Sequence, residues 1–164
     1  IFTVSYLRDE KKMHHLLYAY NTDRFTSRED YLEKFPGDEW VDAIGLDIYQ
    51  RTTSNEQFAA DIDKMLSMLE RIAAEKNKLP ALTEFGGQFN ADSTWWTGTF
   101  LKGIGKHKIA WVLGWRNAGK TSSSVPMEVY VPYKGHSSSA DFLRFYDKEN
   151  TFFGKDIIKK KIYQ

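Results

Sequence analysis

Cysteine is absent from the 164 residues, so neither a disulfide framework nor thiolate chemistry is available, and the redox compartment stays open. An excess of one charge is absent too: 23 Lys+Arg stand against 22 Asp+Glu, a net charge of +1. That removes the electrostatic case for nucleic acid or an anionic membrane surface as partner. No apolar run approaches the roughly 20 residues of a membrane span. Phosphate-loop, HExxH and GxSxG patterns are missing, and the four histidines (His14, His15, His107 and His136) are scattered. Neither a zinc site nor a serine-hydrolase triad is therefore expected. The first residue is Ile1 and no signal peptide is visible, so any targeting segment is expected outside this chain.

The sequence does carry aromatic side chains in abundance: 5 Trp, 9 Tyr and 11 Phe, 15% of residues, within 41% hydrophobic and 27% charged overall. That balance belongs to a soluble globular protein, and the length suffices for one domain with a real core. Aromatic rings build cores and also stack on sugar rings, and composition does not choose between the two.

Four strand-then-helix units follow one another. Apolar strands are expected at 14–20, 41–49, 79–85 and 109–115. Ser27 caps a short helix that stops at Phe35, because Pro36-Gly37 disfavours its continuation. Phe58, Ile62, Met65, Leu69 and Ile72 form one apolar stripe at helical spacing, and Ser54 with Gln57 fits a capping box at its start. The third strand is broken by Gly86-Gly87, a glycine-weakened helix runs from about 94 to 106, and a last helix lies around 140–148. Serial βα units suit either a small doubly wound sheet or half of a (β/α)8 barrel, which needs about 250 residues when closed. A doubly wound nucleotide-binding sheet calls for a glycine-rich loop after its first strand. Asn21-Thr22-Asp23-Arg24 is no such loop, so the half-barrel is preferred.

In parallel α/β folds functional residues gather at the carboxyl ends of the strands. Those ends carry Tyr20 and Asn21, then Asp47 and Tyr49, then Glu84, then Trp115, Arg116 and Asn117. Glu84 follows Ala81-Leu82-Thr83, where a carboxylate must be paired or hydrogen-bonded; catalysis and a structural ion pair are both open readings. Asp47 and Tyr49, two apart, project to the same side of their strand, so the phenol could hold a carboxylate or simply fill the core. Trp115-Arg116 offers a flat face and a fork of donors, a combination that suits a sugar as well as barrel packing. Trp95-Trp96 closes a polar stretch, 88–94, able to loop over the site. At least one of the pair is expected to pack against the barrel, and Trp96 is counted among the candidate sugar-binding residues.

Three segments in this order carry a resemblance: Val41-Asp42-Ala43-Ile44-Gly45-Leu46-Asp47-Ile48-Tyr49, Leu82-Thr83-Glu84-Phe85-Gly86 and Trp115-Arg116-Asn117-Ala118. With Tyr130-Val131-Pro132-Tyr133 and Asp141-Phe142, they resemble glycoside hydrolase family 26, the family of β-mannanases. The resemblance runs from about residue 14 to 146. It implies an α/β (β/α)8 barrel of which residues 1–164 supply about four βα units, strands five to eight. By the same resemblance Glu84 is the catalytic nucleophile and Tyr49 the tyrosine that hydrogen-bonds it. Trp115 is the platform under the sugar, Arg116 and Phe89 line the neighbouring subsite, and Asp47 supports the polar network.

The implied activity is retaining endo-β-1,4-mannosidase action on mannan, glucomannan or galactomannan, with no cofactor. The alternatives are another family activity (xylanase, mixed-linkage glucanase or exo-mannobiohydrolase) or a non-catalytic carbohydrate-binding protein. The family's acid/base glutamate sits in a His-Glu pair at the end of strand four, and no His-Glu pair occurs here. The chain is accordingly expected to be the carboxyl-terminal half of one catalytic domain. Its expected partners are the amino-terminal half and a β-mannan-type polysaccharide. An extracellular or periplasmic location follows from the size of that substrate.

Overall fold

The computed structural model describes residues 1–87, 92–117 and 129–160. A short helix α1 (Phe2–Ser5) runs into a π-helical turn at Tyr6–Glu10. Strand β1 (Ala19–Thr22) leads to α2 (Arg28–Leu32), and a 3-10 turn at Asp38–Trp40 precedes β2 (Ala43–Gln50). The long helix α3 (Asn55–Lys76) is followed by β3 (Leu79–Gly87), a π-helical turn at Trp96–Phe100, α4 (Leu101–Ile104) and β4 (Val112–Gly114). Helices α5 (Ser139–Tyr146) and α6 (Gly154–Lys159) follow. Among the described residues, no helix is long and apolar enough to cross a membrane.

The strands form one parallel sheet in the order β1-β2-β3-β4. Each unit adds its strand beside the last, with no reversal of direction. A doubly wound sheet requires such a reversal, whereas a (β/α)8 barrel advances strand by strand. Helix α3 packs its buried face, including Phe58, Ile62, Leu66, Leu69 and Ile72, onto β2 and β3. Ser54 accepts a hydrogen bond from the Gln57 N–H at its start, and Asn77 ends it in the left-handed conformation, φ 52°. The stripe differs from expectation at one place: Leu66 is fully buried while Met65 lies at the edge of the core.

The outer strands are shorter than their apolar sequence predicts. Residues 14–18 lie outside β1, and Asp42 supplies what a ladder would: its carboxylate accepts from the Tyr18 N–H at 2.8 Å, while its own N–H donates to the Tyr18 carbonyl. Strand β4 is similarly cut to three residues, although backbone bonds to β3 continue on both sides of it, from Ala110 to the Pro80 carbonyl and from Trp115 to the Phe85 carbonyl. Conversely, β3 runs on through Gly86 and Gly87, which pair with Tyr49 and Gln50, where the sequence predicts a break.

Aromatic side chains make much of the core beyond β3. Phe85 stacks on Phe100 at 4.0 Å between centroids, and Trp95, Trp96 and Phe145 surround the pair. The Trp95 indole N–H donates to the Gln50 side-chain oxygen at 2.6 Å, tying this cluster to the end of β2.

Helix α3 is tied to the segment ahead of β4 by His107, whose side chain is 2% exposed. Its ring nitrogens sit 2.8 Å from Glu70 and 2.9 Å from Asp63. Bonds from Lys106 and then His107 hold the Asp63 carboxyl below its ordinary range. Burial pushes Glu70 up, but the His107 bond and the Lys108 N–H outweigh it and the net direction is down. Carboxyls depressed in the folded state contribute stability above their unfolded value and lose it as pH falls through the folded one. We expect His107→Gln to lower the urea midpoint near pH 7 and to shrink the loss between pH 7 and pH 4. Parallel pH curves for parent and variant would rule this out.

Candidate active site

The site is built where the β2–β3 ladder changes register. Leu46 pairs with Leu82, but the next pair is Asp47 with Glu84, so Thr83 is the extra residue of a bulge. A slip of one residue exchanges the two faces of a strand. After the skip, Asp47 and Glu84 stand side by side on one face, with Tyr49 and Gly86 next along it. Local sequence accommodates the bulge at Gly45, where an added Cβ would lie 2.2 Å from the Thr83 Oγ1. In the space that glycine leaves, the Thr83 hydroxyl reaches the Leu46 carbonyl at 3.1 Å and Asp47 Oδ1 at 2.8 Å. Tyr31 of α2 anchors the same point of β2: its hydroxyl accepts from the Gly45 N–H at 3.0 Å and lies 2.9 Å from the Gly45 carbonyl.

The Tyr49 hydroxyl donates to Glu84 Oε2 at 2.7 Å. Burial, then the bond to Glu84 and its charge, push the phenol well above its ordinary range. It therefore stays a donor wherever Glu84 is ionised. Behind it, Tyr130 meets the Tyr49 ring edge-on at 5.6 Å. Both rings fit only because position 86 is glycine: a Cβ there would lie 2.4 Å from Tyr130 and 2.8 Å from Tyr49.

Asp47 is half-buried, and both its oxygens are engaged, Oδ1 by Thr83 and Oδ2 by the Asn21 amide at the end of β1. Burial raises its pKa, the Thr83 bond opposes that, and the charge of Glu84 adds to the rise.

Trp115 follows β4 with its backbone N–H on the Phe85 carbonyl at 2.9 Å, and the residue is 37% exposed. Arg116 beside it is exposed. Asn117 acts differently: its side-chain oxygen accepts from the Tyr130 and Val131 N–H groups, and its amide donates to the Val131 carbonyl. It thereby holds the segment that carries Tyr130 against the end of β4.

Of the residues the sequence singled out, Tyr49, Glu84 and Asp47 are brought together, and Trp115 and Arg116 lie at the neighbouring strand end. Phe89 lies outside the described residues. Trp96 is a correction: it is 1% exposed and enclosed by Phe85, Trp95, Phe100, Phe142 and Phe145, so it has no face for a sugar. Thr83 was not singled out, and no sequence signal beyond its place before Glu84 marks a bulge residue.

Chemically, the cluster is a carboxylate oriented by a phenol, a second carboxylate held by neutral donors, and a solvent-facing indole. Among the described residues, no group of three or more His, Asp or Glu side chains is arranged to hold a metal ion.

Residues 2–123 match Glycosyl hydrolase family 26. The chain belongs to that family. It is 31% identical to a mannan endo-1,4-beta-mannosidase of Bifidobacterium adolescentis, covering 94% of this chain and 17% of that protein. Among solved structures, a GH26 β-mannanase from Bacteroides ovatus superposes with a TM-score of 0.83 at 37% identity, over 94% of this chain and 43% of that one. The catalytic domain of a GH26 endo-β-1,4-mannanase from Bacillus sp. JAMB-750 gives 0.84 at 29% identity, over 99% and 46%. The chain thus spans less than half the length of these relatives, and its four strands are part of a (β/α)8 barrel.

Thr83→Val keeps the shape of the bulge but removes the donor to Asp47. We expect the Asp47 carboxyl, followed by carbon-13 NMR titration, to titrate at higher pH in this variant, because its charged form loses a hydrogen bond. An unchanged titration would show that Thr83 does not support the charge.

Proposed function

We propose that this chain is the nucleophile-bearing, carboxyl-terminal half (strands five to eight) of one retaining endo-β-1,4-mannanase domain. Its substrate is the backbone of mannan, glucomannan or galactomannan. The observation that carries this reading is the 2.7 Å bond from Tyr49 to Glu84 Oε2, within a chain similar to β-mannanases along nearly its whole length. Tyr49 occupies one oxygen of Glu84 and leaves Oε1 to attack the anomeric carbon.

In the first step the Glu84 oxygen forms a bond to that carbon as the glycosidic C–O bond breaks. The leaving oxygen takes a proton from a second carboxylic acid. Water then attacks the same carbon, gives its proton to that group, and releases Glu84 with the configuration retained. Trp115 offers the sugar a stacking face, and Arg116 lines the next subsite. Asp47 adds negative charge beside a transition state that develops positive charge on the sugar ring.

The proton-donating acid is the part this chain does not supply. Asp47 has each oxygen engaged by a donor on the sheet, and the His-Glu pair that carries the family's acid/base group occurs nowhere in the sequence. The acid/base glutamate therefore belongs to the amino-terminal half of the domain, which also closes the barrel. A polymeric substrate cannot enter a cell intact, so the enzyme acts outside the cytoplasm.

In the complete enzyme Glu84→Gln should lower kcat on mannan by about a thousandfold or more with KM little changed. Retained turnover would refute the nucleophile assignment. Faster release of reducing sugar from xylan or mixed-linkage glucan than from mannan would refute the substrate.

A further inference from the structure

The carboxylate beside Glu84 has a neighbour on β1 that the chemistry above leaves unused. Asn21 pairs with Gly45 of β2, and Asp47 is the next residue of β2 on the Gly45 face. The Asn21 amide donates to Asp47 Oδ2, while the Thr83 hydroxyl lies 2.8 Å from Oδ1. Asp47 is thus gripped from both neighbouring strands, and a polar chain crosses β1, β2 and β3 beside Glu84.

The two donors are not equivalent. A hydroxyl carries one proton and also accepts. The Thr83 hydroxyl faces two acceptors, Asp47 Oδ1 at 2.8 Å and the Leu46 carbonyl at 3.1 Å. It can turn its proton to Leu46 and accept one from a protonated Asp47, so it tolerates either state of that carboxyl. An amide nitrogen only donates. The Asn21 N–H bonds strongly to a charged carboxylate, more weakly to the carbonyl oxygen of a neutral one, and it excludes a proton from Oδ2 itself. Asn21 therefore discriminates between the two states of Asp47. Its amide does not titrate, so the preference holds at every working pH.

The surroundings make that preference matter. The titratable groups that face Asp47 are Glu84 on β3, Asp23 just beyond β1, and the phenols of Tyr49 and of Tyr31 on α2. None of these is a cation. Burial pushes the Asp47 pKa up, the Thr83 bond lowers it, the Glu84 charge raises it, the Asn21 bond lowers it, and the net direction is up. Against burial and like charge, neutral donors are what keep a proton off this group.

We propose that Asn21 is a positioning residue for glycoside cleavage, acting through Asp47 to keep that carboxylate charged and fixed beside Glu84 at the acidic end of the enzyme's range. This role rests on the reading of the site as a retaining hydrolase and deepens it. A proton on Asp47 would remove the negative charge it adds next to a sugar ring that becomes positive in the transition state.

The test uses the complete protein and its Asn21→Ala and Asn21→Asp variants. The first removes the amide, and the second keeps its shape but puts an acceptor where the donor was. Two readouts are taken: kcat and KM on mannan across pH, and the Asp47 carboxyl followed by carbon-13 NMR titration. We expect Asn21→Ala to lower kcat about tenfold at the acidic end, with KM little changed, and to return within about twofold of the parent at neutral pH. Asn21→Asp should lose more, because it adds like charge. In both variants Asp47 should titrate at higher pH than in the parent.

A fall in kcat of the same size at every pH would overturn the role, since a merely structural contact acts that way. So would a raised KM with kcat kept, which would mean that Asn21 touches the sugar. A shifted Asp47 titration with an unchanged pH profile would equally overturn it, because the reaction would not need that charge. The NMR readout requires no turnover and keeps the two readings apart. If the parent cleaves mannan and neither readout moves in the variants, only the role of Asn21 is lost. If the parent leaves mannan intact while the Asp47 titration still depends on Asn21, the hold on Asp47 stands and the hydrolase reading falls.

Discussion

The site depends on the skipped residue between β2 and β3. With an uninterrupted ladder after Leu46–Leu82, Asp47 would pair with Thr83, and Glu84 would stand opposite Ile48, on the face of the buried aliphatic residues. The bulge at Thr83 pairs Asp47 with Glu84 instead and puts Tyr49 one step further along the same face. Two glycines make the arrangement sterically possible, Gly45 beneath Thr83 and Gly86 beneath Tyr49 and Tyr130. The bulge residue is also a donor to Asp47, so the device that turns Glu84 into the site also supports the charge beside it.

Around this point the fold supplies rigidity from two directions. Below the sheet, α3 covers β2 and β3 with an aliphatic face, and the Phe85–Phe100–Trp95–Trp96 cluster continues the same core. Beyond the strand ends, Asn117 binds the backbone of Tyr130 and Val131. That brings the Tyr130 ring against Tyr49 and Gly86. A residue with no part in the chemistry thus sets the environment of the tyrosine that holds Glu84. Most of the aromatic rings pack the core, while a few, Trp115 among them, remain exposed.

Much of this was legible in the sequence because it rests on local pattern. The strand ends, the α3 stripe and its Ser54 cap follow from periodicity and from the rule that parallel strands carry function at their carboxyl ends, while the bond between Tyr49 and Glu84 was implied by the family resemblance. What was not legible depends on partners distant in sequence. Apolar residues 14–17 read as strand, yet strand requires a neighbour on which to form a ladder. Met65 and Leu66 are adjacent, and a stripe alternating spacings of three and four does not say which of them faces the sheet. Trp96 has the same composition signal as Trp115, and only packing shows that one ring is enclosed and the other open. The π-helical turn at Trp96–Phe100 and the bulge at Thr83 are register events, which no single-residue preference encodes.

The central claim is that Glu84 forms the covalent bond to the sugar. It is tested most directly by trapping that bond in the complete protein with a 2-deoxy-2-fluoro-mannosyl fluoride and mapping the label by peptide mass spectrometry. Fluoride leaves without an acid, so the trap reports on the nucleophile independently of the proton donor. The account predicts one adduct, on the peptide containing Glu84, absent from Glu84→Gln. An adduct on Asp47 or on any other side chain would contradict it.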